Sequence, residues 1–295
     1  MNDLQRFPVT AILLIGSFAT FLAEATGRSV EHLTLLPGTE LTEPWRLVTT
    51  VLVHGGPVHL LFNALWTWQL GRAIEARIGT PWMLGLTLLG ALVPTGMQLA
   101  VGGNPVGLSG VVFAYAFFAF ARSRYDRSYA DVMDGMRIRF FIAWFFLCIL
   151  LTETGMMRIA NTAHFGGGLI GFAIGSRVRW LAPAVVALTA VTLSVTRSLL
   201  DDGRNGAQDL LLRAQYAIES GDYQGAVAYY ERVFDSGVHL AGGYLNYGLA
   251  LNALGRRAEA DEAWVVAMEI DPQIIAPEKA RAIRNRYELR RGTRR

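Results

Sequence analysis

The sequence predicts an all-α chain: a polytopic membrane helical bundle of six spans plus a seventh, followed by a small soluble α-helical repeat domain. Three observations predict it. Hydrophobic residues make up 52% of the 295-residue chain and charged residues only 17%, with a mean hydropathy of +0.31, a balance outside the soluble globular range. Apolar runs follow one another as far as Val195, and charge density rises sharply near Asp201. Beyond Gly206 the pattern becomes amphipathic and repeats itself.

Taken in order, the apolar runs are Pro8 to Ala25, Val58 to Ala73, Trp82 to Val101, Ser109 to Ala121, Ile138 to Leu151, Ala163 to Ile174 and Leu181 to Val195. Gly and Thr extend several of them toward the ~20 residues that cross a bilayer. The first run has no small-residue cleavage site and only Arg6 as a basic leader, so it reads as a retained span. The domains are therefore 1–179 for a six-span core, 180–200 for the seventh span and 201–295 for the repeats with a capping helix. Basic residues in short loops stay cytoplasmic, which predicts an inward N-terminus. Arg6, Arg72, Arg77, Arg122, Arg124, Arg127, Arg137, Arg139, Arg177 and Arg179 then share the inner side, against Arg28, Arg46 and Arg158 outside. A seventh span would put the tail outside, whereas Arg197, Arg204 and Arg213 argue for inside, so the tail's side stays open.

In the tail, sliding the sequence along itself by one period superposes Leu211 on Leu245, Ala214 on Gly248, Gly221 on Gly255, Ala226 on Ala260 and Tyr230 on Trp264. Small residues let two helices approach and Gly permits the turn between them, and the period is that of tetratricopeptide-like repeats. A helix from about Pro277 to Arg290 caps the stack with Ala280, Ile283 and Tyr287, its Arg and Glu facing water. The net charge of +3 is spread over loops and tail, and Lys279 is the only Lys, so no nucleic-acid-binding cluster exists. The single cysteine, Cys148, lies in an apolar run and reads as packing.

The chemistry-bearing residues stand inside the apolar part. Ser109 opens the fourth run directly after the Gly- and Pro-containing loop 102–105, where irregular backbone can leave N–H groups free beside the hydroxyl. His164 stands at the start of the sixth run. Gly167, Gly171 and Gly175 follow it at intervals of four, a smooth strip that permits close helix packing and would bring imidazole and hydroxyl together as base and nucleophile. His59 and Asn63, also four apart, share one face of the second run and present two hydrogen-bond donors. In the predicted topology Ser109, His59 and His164 all begin outside-to-inside spans, at one depth below the outer surface. Polar groups in hydrocarbon are costly and mark reaction or transport sites.

These residues resemble the rhomboid intramembrane serine proteases. The resemblance runs from about Pro8 to Ile174 and rests on Trp45-Arg46, on His54, His59 and Asn63, on Gly71, Glu75 and Gly79, on Gly107-Leu108-Ser109-Gly110, and on Ala163-His164 with Gly167 and Gly171. It implies Ser109 as nucleophile, His164 as general base, His59, Asn63 and the Ser109 backbone N–H as oxyanion donors, and His54 as structural. It further implies transmembrane protein substrates, single-span and with small residues at the cut, and no metal or organic cofactor. Phe113 stands where some members carry a tyrosine stacked on the histidine; the ring can stack, but it lacks a phenolic hydrogen bond.

Weighed singly, the residues admit plainer roles: Ser109 as a packing hydroxyl, the Trp66, Trp68 and Trp82 group as an interfacial belt, Glu75 in a loop network with Arg72 and Arg77, and Arg122 to Arg139 as the positive-inside signal. An inactive membrane scaffold that presents the repeats to a peptide or protein partner is the second function class. A transporter is the third, and no inverted repeat favours it. The compact loops and fused repeats point to the cytoplasmic membrane of a bacterium.

Overall fold

The computed structural model describes residues 3–35, 43–157, 159–201 and 207–292. The positions of Arg158, of the junction 202–206 that includes Arg204, and of part of the loop from Gly27 to Glu43 lie outside the described residues. The chain divides into two compact units, Met1–Ser198 and Leu199–Arg295, and no strand occurs among the described residues.

The first unit contains α1 (Asp3–Arg6), α2 (Pro8–Ala25), α3 (Arg46–Thr49), α4 (Pro57–Ile78), α5 (Thr80–Ala100), α6 (Ser109–Ser123), α7 (Gly135–Glu153), α8 (Asn161–Gly175) and α9 (Leu181–Asp201). Pro occupies the first turn of α2, α4 and α5, where its missing N–H costs nothing and its fixed φ suits the helix. Asp134 caps α7, its Oδ1 accepting the N–H groups of Met136 and Arg137 at 2.9 and 2.8 Å; the Arg137 N–H holds this carboxyl below the usual range.

Each predicted apolar run coincides with a helix, but the helices differ in reach. α2, α5 and α7 are long and apolar enough to cross a bilayer, and the segment Arg46–Leu52 joined to α4 at a bend of 102° is a fourth candidate. α6 and α8 have only 15 residues each, about 22 Å of helix against a ~30 Å hydrocarbon layer. α6 sits at the centre, with Val111, Ala114, Tyr115, Ala116 and Ala119 inaccessible, and α4, α5, α7 and α8 around it. A helix apolar on all sides and rich in Ala is suited to that place. Its one buried phenol, Tyr115, is hydrogen-bonded to Thr87 of α5 at 2.5 Å. α9 packs through Val185 and Thr189 against α5 and α8.

Glu75 departs from the loop network expected of it. It is 2% exposed, and its carboxylate accepts the N–H groups of Val9 and Thr10 at 3.0 Å and the Thr10 hydroxyl at 2.8 Å. It therefore caps the free N–H groups of α2 from another helix, with its charge at the positive end of the α2 dipole. Arg77 turns instead to Asp131 and to the Ser128 carbonyl. The nearest charges in sequence suggested an ion pair, but the burial of Glu75 leaves only the donors of α2 and Thr80 within reach.

The second unit contains α10 (Ala207–Glu219), α11 (Tyr223–Asp235), α12 (Ala241–Ala253), α13 (Arg257–Ile270) and α14 (Pro277–Gly292). α12 and α13 begin one repeat period after α10 and α11 respectively. Both pairs turn through a glycine with positive φ, 80° at Gly221 and 78° at Gly255, and bury an alanine, Ala226 or Ala260, at the crossing. Trp264 lies over Gly248 and donates its indole N–H to the Leu245 carbonyl at 3.1 Å. On α14, Ile283 is buried as expected, but two of its arginines do not simply face water: Arg286 and Arg290 grip Asp261, itself 1% exposed, at 2.6 and 3.0 Å. A carboxylate in that position requires such partners to offset its lost hydration.

Glu75→Ala leaves three donors at the start of α2 without acceptors and is expected to cost about 3 kcal/mol of stability. Denaturant unfolding in detergent checks this, with Glu153→Ala as a reference; equal stability of the two variants would remove the capping role.

Candidate active site

α6 and α8 meet along the predicted glycine strip at backbone distance. A Cβ at Gly167 would collide with the carbonyl of Gly110, one at Gly171 with the carbonyl of Ala114, and one at Gly175 would lie 2.6 Å from that of Phe118. Three successive turns of α8 thus lie directly on three turns of α6, and no other residue fits there. On the opposite side, Gly110 and Ala114 face Pro94 and Gly90 of α5, again without spare space.

This seam sets the starts of α6 and α8 side by side. Ser109 is the first residue of α6 and partly exposed, and its N–H has no hydrogen-bond partner among the described residues. Phe113, one turn further along the same face, stacks on the His164 ring at 4.7 Å and 13°. Phe141 and Phe145 hold the Phe113 ring edge-on. His164 is 4% exposed, and its Nδ1 has no partner. No hydrogen bond joins Ser109 to His164 among the described residues. A small cavity of about 10 Å³, the room of one water, adjoins Ser109 between Thr50, Pro94, Pro105, Gly107, Gly110 and Ala163.

His59 and Asn63 of α4 converge on Gly107, two residues before the serine. A Cβ at Gly107 would lie 2.6 Å from His59 Cε1 and 3.4 Å from Asn63 Nδ2, and its φ of 98° belongs to glycine in any case. Asn63 is 1% exposed, yet neither its Nδ2 nor its Oδ1 has a partner. An amide buried in this way carries the full desolvation cost of both atoms, and a ligand oxygen near Ser109 would relieve that of the donor, Nδ2. His54 has a different task. Its Nδ1 lies 3.0 Å from the Leu52 carbonyl, which requires a proton on Nδ1, and its Nε2 accepts the Leu108 N–H at 3.4 Å. With the Thr50 hydroxyl on the Pro105 carbonyl at 2.7 Å and the Gly107 N–H on the Thr50 carbonyl at 3.3 Å, it pins the loop that presents Ser109.

Residues 41–180 match the rhomboid domain. The chain is also 36% identical over 131 residues to the rhomboid protease GlpG of Enterobacter sp. (strain 638), a match covering 44% of this chain and 47% of that protein. The chain thus spans about half the length of the curated relative it matches. Ser109, His164, His59, Asn63 and His54 all fall inside the matched stretch, whereas α2, α9 and the helix pairs of the tail fall outside it.

The rhomboid-like region also contains a contact that reading the sequence missed. Gln98 of α5 accepts the Ala163 N–H at 3.2 Å, capping α8 at the residue before His164, and its amide nitrogen stands against Gly103 in the loop before Ser109. One glutamine therefore touches both chain segments that carry the candidate pair. Its signal was visible as a polar side chain within an otherwise apolar run.

Gly171→Ala is expected to cost at least about 2 kcal/mol more than Gly168→Ala, because the Gly168 side faces Phe117 at ordinary contact distance. Unfolding of the two variants in detergent checks this; equal effects would mean that the seam can open without penalty.

Proposed function

We propose that the membrane unit is a rhomboid-type serine endopeptidase that cleaves transmembrane segments of other membrane proteins with Ser109 and His164 as a dyad. The observation that supports the reading is the backbone-to-backbone seam between α6, which begins at Ser109, and α8, which carries the Phe113-stacked His164 in its first turn. The matched rhomboid domain and the relative named as a protease support the same reaction.

In this mechanism His164 accepts the Ser109 proton as the hydroxyl oxygen attacks the scissile carbonyl. The negative charge that develops on the substrate oxygen meets the Asn63 amide, the His59 ring and the unpartnered Ser109 N–H. Collapse of the intermediate expels the amine, which takes the proton from His164 and leaves an acyl group on Ser109. Water, for which the cavity beside Ser109 has room, then attacks the ester while His164 again serves as base, and Ser109 is regenerated. Phe113 holds the imidazole plane by stacking alone. No metal or organic cofactor enters the scheme.

The same reading takes residues 1–179 as six spans with the N-terminus in the cytoplasm of a bacterium, 180–200 as a seventh span and 201–295 as tetratricopeptide-like repeats. The repeats recruit a substrate or an adaptor, since stacked helix pairs provide surface without chemistry.

Cleavage of a generic transmembrane reporter by the purified chain in detergent tests the proposal. Ser109→Ala and His164→Ala are each expected to lower the rate at least about 10³-fold, and Asn63→Ala about 10²-fold. Two reporters left intact by the folded native chain would favour a membrane scaffold. Truncation after Gly206 is expected to spare the generic reporter and impair cleavage of selected substrates; a uniform effect on all of them would end the recruitment role.

A further inference from the structure

We infer that the groove beside the C-terminal ends of α6 and α8 binds an anionic phospholipid. Its phosphate lies between Arg122 and Arg177 and an acyl chain lies along α5. The inference is independent of the proteolytic reading and requires only that the unit is embedded in a membrane.

The groove encloses about 470 Å³ and is lined by Ile78, Trp82, Leu86, Leu89, Phe118 and Ile174, with Arg122 as its one charged wall. At Gly85 a side chain would meet nothing within 4 Å, so α5 leaves a slot open toward the hydrocarbon. Trp82, 76% exposed, marks the end of this slot as the bilayer boundary, where indoles settle at headgroup level.

The charges at this end are arranged unlike those elsewhere in the unit. Tyr125 donates its hydroxyl to the Gly175 carbonyl and so ties the end of α6 to the end of α8. The Arg122 guanidinium lies 5.7 Å from that tyrosine ring and 5.5 Å from Phe118, and Arg177 lies 4.5 Å from the same tyrosine ring. Two like charges thus share one aromatic ring. Arg122 Nε is buried without a hydrogen-bond partner, and among the described residues no carboxylate pairs with either guanidinium. Asp126, the nearest acid to Arg122 in sequence, accepts the Ser128 N–H and feels the Arg122 charge without forming an ion pair with it. By contrast, Arg46, Arg77 and Arg137 each have an acidic partner.

A topology signal requires only that arginines lie on one side of the membrane, as the exposed Arg124 and Arg127 do. It does not require two of them on one ring beside an apolar slot. Two guanidinium forks match a phosphate, which would neutralise their mutual repulsion. The slot matches the hydrocarbon attached to a lipid phosphate, and an inorganic phosphate would leave it unfilled.

Native mass spectrometry of the full chain in detergent, titrated with phosphatidylglycerol and with phosphatidylcholine of identical acyl chains, tests this. One phosphatidylglycerol is expected to bind at least about tenfold more tightly than phosphatidylcholine, and Arg122→Gln with Arg177→Gln to abolish that preference. Gly85→Leu, which fills the slot and keeps both charges, is expected to weaken the bound lipid, and Arg124→Gln to leave it unchanged. Inorganic phosphate and glycerol phosphate are expected not to displace it. Equal retention of the two lipids, or undiminished binding in Gly85→Leu, would overturn the inference. Displacement by inorganic phosphate would replace the lipid with a free oxyanion. Should the double variant not fold, the single substitution at the exposed Arg177 and Gly85→Leu carry the test.

Discussion

Backbone contact between α6 and α8 is the constraint on which the rest of the membrane unit depends. Hydrocarbon supplies no hydrophobic force between helices, so association must come from packing and from weak polar contacts at short range. Gly167, Gly171 and Gly175 remove the atoms that would keep the axes apart, and the carbonyls of Gly110, Ala114 and Phe118 occupy the space released. The phase and height of α8 relative to α6 are thereby fixed to within the tolerance of a methyl group. Ser109, Phe113 and His164 inherit their relation from that fit, since all three lie on the two seam helices.

The polar atoms around the seam fall into two groups. Those that maintain the frame are paired: Glu75 with the start of α2, Tyr115 with Thr87, His54 with Leu52 and Leu108, Gln98 with Ala163. Those of two candidate site residues are not, for the Asn63 amide and His164 Nδ1 are buried and unpartnered. In a low-dielectric interior the second group is costly, and the first holds it in place at that cost. Ser17 and Thr67 also carry unpartnered buried hydroxyls, and these have no evident connection to the site.

Much of this was legible in the sequence because the signals are local. Apolar runs located the long helices of the membrane unit, glycines at intervals of four announced the seam, and the paired positions of Gly221 and Gly255 announced the turns of the tail. What local pattern does not encode is which distant group satisfies a charge. Arg72 and Arg77 flank Glu75 in sequence, yet its oxygens accept from Val9 and Thr10, near the start of the chain. The α14 arginines likewise read as solvent-facing until α13 supplied Asp261. Reach across the bilayer is also hard to read, since an apolar run of the correct composition can form a helix of only 15 residues when its start is spent on a loop or a cap. The family match begins at residue 41 and ends at residue 180, so it covers neither the tail nor α2, which the resemblance seen in the sequence had included.

The order of biosynthesis gives the seam a further meaning. Ser109 belongs to a helix that is complete by Ser123, but the slot along it is filled only by residues up to Gly175. A growing chain therefore carries its hydroxyl, its loop clamp and its orphaned amide through the whole synthesis of α7 before the imidazole arrives. On the proposed dyad, the nascent protein is chemically silent through that interval toward its neighbours in the membrane, and toward itself, because the proposed base comes only with the second helix of the pair.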